Sequence, residues 1–299
     1  MLKILLKILT RQLGNYYFIK NLANLFNLIK TFIAVLFVFA ITAGCNNNSD
    51  KIPEETTPVV PAVATINFAV KASYPHDTSL FTEGFLFHDG KLFESTGSPE
   101  DLPQVKSMVG ITNLQTGKFE QKVSLEKKYF GEGIVFLNNK LYELTYKNQL
   151  GFIYDAKSFK KLDSFTYKNI EGWSLTTDGK EIIMDDGTDI ITFLDPVTLK
   201  PVKTLKVTEA GLARDSLNEL EFINGFIYAN IWLSNYIVKI DTATGKVVGK
   251  LDLSSLVYEA KNKNPRADVL NGIAYDSVTN KIYVTGKLWP NIYEIEFAH

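Results

Sequence analysis

A fivefold internal repeat is the feature of this sequence that most restricts its fold. Each repeat begins with an acidic or amide residue, usually followed by Gly, and continues as an apolar strand, a tight turn and a second strand. The repeats start at Glu83, Glu132, Glu171, Glu219 and Asn271, so successive starts are 49, 39, 48 and 52 residues apart. Two further strand signals follow each pair, and four strands per repeat make one propeller blade. The sequence therefore predicts an all-β fold, a five-bladed β-propeller.

The propeller domain is predicted to span residues 65–299 and to close with its own N-terminal strand. A strand near residues 65–73 would complete the fifth blade, because a closed ring leaves no long unpaired strand edge. Short turns such as Asp-Gly, Asn-Asn, Asn-Gly and Thr-Gly punctuate the apolar segments, as expected for consecutive hairpins. Helix is predicted in two short segments, 207–215 and 254–263.

The N-terminal region indicates export. Residues 1–44 contain five Lys and Arg residues but no acid, and an uncharged run follows the last of them and ends in Thr-Ala-Gly before Cys45. This pattern predicts a lipoprotein signal peptide over residues 1–44 with Cys45 lipidated after cleavage. The alternative is a single transmembrane anchor. Either one places the domain outside the cytoplasm, in the bacterial cell envelope and attached to a membrane, with the Pro-, Thr- and Val-rich residues 46–64 as a flexible linker.

The composition excludes several classes of protein. Lys and Arg total 32 against 33 Asp and Glu, so nothing indicates a nucleic-acid binder. One Cys excludes a disulfide framework, and three His without Cys partners are too few for a zinc site. The sequence therefore predicts no metal ligands at the functional site.

The repeat starts predict a ring of polar side chains at one mouth of the central channel, because the first strand of every blade lines that channel. Glu83, Glu132, Glu171, Glu219 and Asn271 would form the ring. Like charges this close repel, so the carboxylates need protons, a cation or hydrogen bonds. The alternative is that each Glu starts a blade and accepts hydrogen bonds from the backbone of the neighbouring blade.

Seven motifs, in order along the whole domain, resemble the glutamine cyclotransferase family, the plant-type glutaminyl cyclases of plants and bacteria. They are FTEG at 81–84, YFGEG at 129–133, EGWSLTTD at 171–178, LNELE at 217–221, ANIW at 229–232, DVLNGI at 268–273 and VTGKLWP at 284–290. The resemblance implies a five-bladed propeller that converts the N-terminal glutamine of peptides or proteins into pyroglutamate. Ammonia is released in this acyl transfer, and no catalytic zinc or other cofactor is implied.

The same resemblance implies roles for individual residues. Glu132 is the expected general acid and base, because a carboxyl whose pKa is lifted toward neutrality can take a proton from the α-amine and return it to the departing nitrogen. Lys287 and Asn218 are the expected donors to the oxygen anion of the tetrahedral intermediate. An aromatic cage is expected to hold the substrate, comprising Phe81, Phe130, Tyr146, Trp173 and Trp232.

Two positions depart from the family pattern. Glu83 stands where the motif more often has Gln, and Tyr146 where it more often has Trp. Glu83 is expected to bind the incoming ammonium form of the substrate or to raise the pKa of Glu132 by repulsion.

Two other functions remain open at the level of the sequence, since a fold does not determine function. One is a non-catalytic propeller that binds a protein or glycan, and the other is a lactonase-like propeller that uses the acidic ring to hold calcium. A structural calcium in the channel is also left open. The chain is expected to act as a monomer.

Overall fold

The computed structural model describes residues 62–299. The predicted signal peptide, Cys45 and all but the last three residues of the predicted linker lie outside these residues. Within residues 62–299, no helix has the length and apolar character needed to cross a membrane.

Five four-stranded antiparallel sheets form the blades of a propeller, as the repeats predict. The first two blades comprise β2 (Thr82–His88), β3 (Lys91–Thr96), β4 (Met108–Thr112) and β5 (Phe119–Ser124), then β6 (Gly131–Leu137), β7 (Lys140–Thr145), β8 (Leu150–Asp155) and β9 (Lys161–Thr166). The next two comprise β10 (Leu175–Thr177), β11 (Ile182–Met184), β12 (Ile190–Leu194) and β13 (Pro201–Lys206), then β16 (Leu217–Ile223), β17 (Phe226–Ile231), β18 (Tyr236–Asp241) and β19 (Val247–Asp252). Blade 5 comprises β20 (Leu270–Asp276), β21 (Lys281–Gly286), β22 (Asn291–Glu296) and β1 (Ala69–Pro75).

The N-terminal strand closes the ring, as predicted, although it lies a few residues further along the chain. Strand β1 pairs antiparallel with β22, from Ala69 opposite Glu296 to Pro75 opposite Asn291. A buried histidine reinforces the closure immediately after β1. The His76 ring lies 2.9 Å from the carbonyl oxygen of Trp289 and 3.1 Å from the Glu94 carboxylate. Burial lowers the pKa of His76 and Glu94 raises it, and the net shift is upward.

The core consists of five apolar layers, one between each pair of neighbouring blades. Each layer takes side chains from the facing surfaces of two sheets; Ile134 of blade 2, for example, packs in one layer with Leu86 and Phe93 of blade 1. No central core exists around the axis in the described part of the chain, because the inner strands present polar residues there. This leaves the channel available for a site.

One helix prediction is right and the other is wrong. Helix α1 (Ser254–Lys263) coincides with the predicted segment and buries Leu256, Val257 and Ala260. Residues 207–215 instead contain a small hairpin of β14 (Thr208–Glu209) and β15 (Leu212–Ala213). The turn residues Ala210 and Gly211 both have positive φ, 51° and 81°, which suits a two-residue hairpin turn and excludes a helix.

Candidate active site

The ring at the channel mouth has a different register from the one predicted. The strand pairing shows that five residues occupy equivalent positions on the inner strands: Phe85, Ile134, Leu175, Leu220 and Ile273. The ring is formed by the residues two positions before these. They are Glu83, Glu132, Trp173, Asn218 and Asn271. Four of these five side chains line one cavity.

Glu171 and Glu219 therefore do not belong to the ring, contrary to the sequence prediction. Strand β10 begins only at Leu175, so Glu171 precedes it in a loop, where it accepts a hydrogen bond of 2.9 Å from the indole N–H of Trp173. Glu219 lies one position beyond the ring, and a one-residue shift turns a side chain to the other face of a strand. Its carboxylate accepts hydrogen bonds from the backbone N–H groups of Phe85 and Ile273 at 3.3 and 2.8 Å.

All nine residues proposed from the sequence line a single cavity of about 280 Å³. They are Phe81, Glu83, Phe130, Glu132, Tyr146, Trp173, Asn218, Trp232 and Lys287. The inner-strand starts supply part of the lining, and loops between second and third strands supply Tyr146, Trp232 and Lys287.

Four further lining residues were missed by the sequence analysis: Pro99, Leu233, Asp268 and Val269. Asp268 and Val269 belong to the DVLNGI motif and Leu233 follows the ANIW motif, so proximity to these motifs was an available signal. Pro99 lies in the loop between β3 and β4, where no repeat signal points to it.

A buried ion pair forms one side of the cavity. The ammonium group of Lys287 lies 2.7 Å from each carboxylate oxygen of Glu83 and 4.7 Å from the ring centroid of Phe81. The side-chain amide of Asn271 is 3.4 Å from the same carboxylate. Burial raises the pKa of Glu83 to about 7, although Lys287 acts in the opposite direction. The ion pair thus holds the Lys287 ammonium in place, while Glu83 can still gain or lose a proton near neutral pH.

Glu132 is buried in the cavity wall, and its carboxylate has no hydrogen bond or ion pair with any other residue of the described range. Burial raises its pKa well above the ordinary value near 4.5, the charge of Glu83 raises it further, and Lys287 opposes both. Its backbone is fixed, because the Glu132 carbonyl accepts a hydrogen bond of 2.6 Å from the Ser95 hydroxyl. A rigid main chain therefore presents an unpartnered carboxyl to the cavity.

The glycine after Glu132 is required by the packing of the next blade. The Gly133 N–H donates to the Trp173 carbonyl at 2.8 Å, and a Cβ atom on Gly133 would lie 2.5 Å from the Cα atom of Ser174. No real Cβ contact is that short, so only glycine allows the inner strands of blades 2 and 3 to approach this closely. This explains the Glu-Gly pair at the start of the repeat.

Aromatic rings make up most of the remaining wall. Trp173 and Trp232 meet edge to face, with ring centroids 5.6 Å apart. Phe130 contacts both Phe81 and Tyr146, at centroid distances of 6.4 and 5.7 Å. The Trp173–Trp232 and Phe81–Phe130 pairs are edge to face and the Phe130–Tyr146 pair is tilted. Edge-to-face arrangements of aromatic rings are favourable. The cavity is therefore a preformed apolar cage around a few polar groups, and within residues 62–299 no three His, Cys, Asp or Glu side chains cluster as metal ligands.

Comparison with known proteins agrees with the motifs. A family model described as glutamine cyclotransferase matches residues 37–297. The chain is 39% identical over 229 residues to the glutaminyl-peptide cyclotransferase of Arabidopsis thaliana, covering 76% of this chain and 70% of that protein. The crystal structure of Myxococcus xanthus glutaminyl cyclase matches with a TM-score of 0.70 at 33% identity, over 79% of this chain and 98% of that one. The chain belongs to the glutamine cyclotransferase family.

Proposed function

We propose that this protein converts the N-terminal glutamine of peptides and proteins into pyroglutamate, with Glu132 as general acid and base. The observation that carries the proposal is the unpartnered carboxyl of Glu132, with its raised pKa, inside an aromatic cage beside the Glu83–Lys287 pair. The names of the two relatives and of the family support the same reaction.

The chemistry needs little beyond positioning and proton transfer. The α-amine nitrogen of the substrate bonds to the δ-carbon of its own side-chain amide, the bond from that carbon to the amide nitrogen breaks, and ammonia leaves. Since both reacting groups are in one residue, the site mainly has to hold the side chain folded back. The aromatic walls of Trp173, Trp232 and Phe130 suit this task, because flat rings enclose an aliphatic stem and exclude water.

Glu132 moves the proton that this exchange requires. A free α-amine has a pKa of about 7.7 to 8.0, so part of the substrate is already the nucleophilic amine near neutral pH. The Glu132 carboxylate accepts one proton from the attacking nitrogen and delivers it to the amide nitrogen, which departs as ammonia. A carboxyl with a raised pKa performs both transfers more readily than one with an ordinary value.

In this proposal, Lys287 and Asn218 stabilise the negative oxygen of the tetrahedral intermediate. Both are buried and line the same cavity as Glu132. The carboxamide of Asn218 makes no side-chain hydrogen bond within the described range, so its N–H groups remain available to a ligand. A donor fixed at such a position contributes about 10²–10³ in rate.

Ammonia release from a glutamine-leading peptide tests the proposal. The purified full chain is incubated with Gln-Ala-Ala, with and without a metal chelator, and ammonia and the cyclised peptide are measured. Chelator-resistant cyclisation supports the proposal and a reaction that needs no metal. A lactone is tested in parallel, and its chelator-sensitive hydrolysis without cyclisation of the peptide would support the calcium-dependent lactonase. No turnover of either the peptide or the lactone would support a binding propeller.

On the sequence alone, we also propose that the protein is a monomeric envelope lipoprotein. Replacing Cys45 with Ser would release the protein from the membrane fraction if Cys45 carries the anchor. Retention of the Cys45→Ser protein in membranes would instead support the transmembrane anchor.

A further inference from the structure

The cavity has a buried floor and an exposed rim. Glu83, Glu132 and Asn218 are only 2, 5 and 3% exposed, whereas Trp232 and Leu233 are 43 and 69% exposed. Asp268 is also exposed and lines the cavity, with Val269 half-buried beside it. The proposed chemistry uses the floor and the aromatic walls, so Leu233, Asp268 and Val269 have no role in it.

Asp268 is held firmly at this rim by its backbone. Its N–H donates to the Lys287 carbonyl at 2.8 Å, and the Lys287 N–H donates to the Val269 carbonyl at 3.0 Å. The Asp268 carbonyl accepts a further hydrogen bond of 2.9 Å from the indole of Trp289. The rim segment 268–269 is thus fixed to the residue that supplies the cation of the site.

The carboxylate of Asp268 is not used within the described part of the chain. It has no hydrogen bond or ion pair with another residue there, including Arg266 two positions earlier. It lines the same cavity as Glu83, and its negative charge contributes to raising the pKa of Glu83. The other charged lining residues are Glu83 and Lys287, which pair with each other, and Glu132.

The residue after the substrate glutamine must cross this rim. With the glutamine side chain and α-amine beside Glu132, the peptide leaves through the open end, and each extended residue advances about 3.3–3.6 Å. We therefore take the second side chain to contact Asp268, Val269 and Leu233, which line the cavity and are exposed or half-buried. A carboxylate next to two apolar side chains suits a long aliphatic stem that ends in a cation.

We propose that Asp268, Val269 and Leu233 form a subsite for the second residue of the substrate, and that this subsite favours Lys or Arg and disfavours Asp or Glu. The inference rests on the proposed function, because it takes the glutamine to occupy the floor. It makes Asp268 a specificity-determining residue for peptides rather than a participant in the cyclisation.

Three peptides that differ only at the second position test the subsite: Gln-Lys-Ala, Gln-Leu-Ala and Gln-Glu-Ala. At low salt we expect kcat/KM for the Lys peptide to exceed that for the Glu peptide about tenfold, and added salt to reduce this ratio, since the rim is solvated and screened. In Asp268→Asn, kcat/KM should fall about fivefold for the Lys peptide and rise about threefold for the Glu peptide. Changes in opposite directions cannot come from structural damage, which lowers both.

Asp215→Asn is the matched control. It removes the same charge from an exposed residue that precedes an inner strand but does not line the cavity, so it should leave the Lys to Glu ratio unchanged. An unaltered ratio in Asp268→Asn overturns the subsite, as does an equal shift in both variants.

Binding of the same peptides to Glu132→Gln, measured by calorimetry, separates the subsite from the proposed reaction. A charge preference that disappears in Glu132→Gln/Asp268→Asn supports the subsite even if the parent protein does not cyclise the peptides. Cyclisation without any charge preference would uphold the reaction and overturn the subsite.

Discussion

Glu132 and Glu219 are two carboxyls on inner strands of the propeller that differ mainly in their partners. Both are almost fully buried, and burial is the main cause of the raised pKa of each. Glu219 accepts two backbone hydrogen bonds, from Phe85 of blade 1 and Ile273 of blade 5. Glu132 has no such partner in the described range and lines the cavity. A perturbed pKa alone therefore does not distinguish a chemical group from a structural one.

The difference assigns separate functions to the mouth and to the interior of the channel. In the interior, Glu221 repeats the pattern of Glu219, since its carboxylate accepts a hydrogen bond of 2.8 Å from the backbone of Tyr275 in the next blade. These side chains connect blades, which is the structural alternative considered for the repeat starts. At the mouth, Glu83 pairs with Lys287, whereas the Glu132 carboxylate has no hydrogen-bond or ion-pair partner in the described range. Burial therefore raises the pKa of Glu132 without an opposing hydrogen bond.

The largest effect that tests this comparison is expected from Glu132→Gln. The change keeps the volume and removes the proton transfer, so kcat should fall about 10²–10⁴-fold. Because no hydrogen bond of the described structure is lost, the melting temperature should not decrease. The measurement is ammonia release from Gln-Ala-Ala together with a thermal melt.

Glu143→Gln is the matched control for this variant. Glu143 is also fully buried with a raised pKa, but it lies on the second strand of blade 2 and does not line the cavity. Its replacement should leave kcat within about twofold. A Glu132→Gln protein with parental turnover would show that the unpartnered carboxyl is not the proton carrier.

The second effect concerns the interior and should appear in stability. In Glu219→Gln, the single amide oxygen can accept from only one of the two backbone N–H groups, those of Phe85 and Ile273. The amide N–H₂ group then faces the other N–H, which loses its acceptor. Leaving a buried donor unsatisfied costs about 1–3 kcal/mol. We expect a loss of this size in the free energy of unfolding, measured with urea, and little change in KM. A stable variant with a damaged KM would place Glu219 in the site and remove the contrast.

The sequence predicts the blades well because their signal is local and repeated. Each repeat start, which is Glu-Gly or Asn-Gly in four of the five copies, lies within a dozen residues of its hairpin turn, and the five copies reinforce one another. The sequence does not predict the register of the ring in the same way, because the register depends on the position of each β-bulge and on the residue at which β10 begins. Those details are set by contacts between blades, such as the approach of Ser174 to Gly133. They place Glu171 and Glu219, both members of the predicted ring, outside the observed one.

The residues of the site also fall into those that the sequence identifies and those that it does not. Residues within recognisable motifs, such as Glu132 and Lys287, could be named from the sequence, whereas Pro99 and Leu233 reach the cavity only because loops of separate blades converge there. Likewise, a hairpin replaced the predicted helix at 207–215, because two residues of positive φ at Ala210 and Gly211 decide the turn. Sequence periodicity alone does not reveal such backbone conformations.

The third effect is a dependence of stability on pH that is caused by buried carboxyls outside the cavity. Burial raises the pKa of both Glu143 and Glu221 to about 8, from an ordinary value near 4.5. The folded state therefore holds protons that the unfolded state has lost. The contribution of these two groups to the free energy of unfolding is fully present below pH ~4.5. It falls by up to about 1.4 kcal/mol per pH unit and per group as the pH rises from ~4.5, and it is lost as the pH passes ~8.

Glu143→Gln isolates one of these groups. One Glu143 oxygen accepts a hydrogen bond of 2.9 Å from the Tyr154 hydroxyl, and the other has no partner. We expect the variant to lose less stability than the parent between pH 5.5 and 8, measured by urea unfolding at each pH. Parallel curves for the two proteins would mean that Glu143 is ionised in the folded state throughout.

The smallest effect, a change in the pH profile, comes from Glu83→Gln and tests how the two halves of the mouth are coupled. The negative charge of Glu83 raises the pKa of Glu132, and its ion pair neutralises part of the Lys287 charge that lowers it. Removing the Glu83 carboxylate ends its repulsion of Glu132 and leaves the full Lys287 charge acting on Glu132. Each change lowers the pKa of Glu132. Since the base must be ionised to accept the proton, the acidic limb of kcat/KM should move to lower pH, by about one unit or less.

Trp289→Phe serves as the control for Glu83→Gln, because it removes a part-buried hydrogen bond behind the rim without altering any charge. It should lower stability and leave the position of the limb unchanged. If the limb of Glu83→Gln stays at the parental pH, then Glu83 does not influence the proton carrier. The raised pKa of Glu132 would in that case come from burial alone, and the mouth would differ from the interior of the channel only in the missing backbone donors.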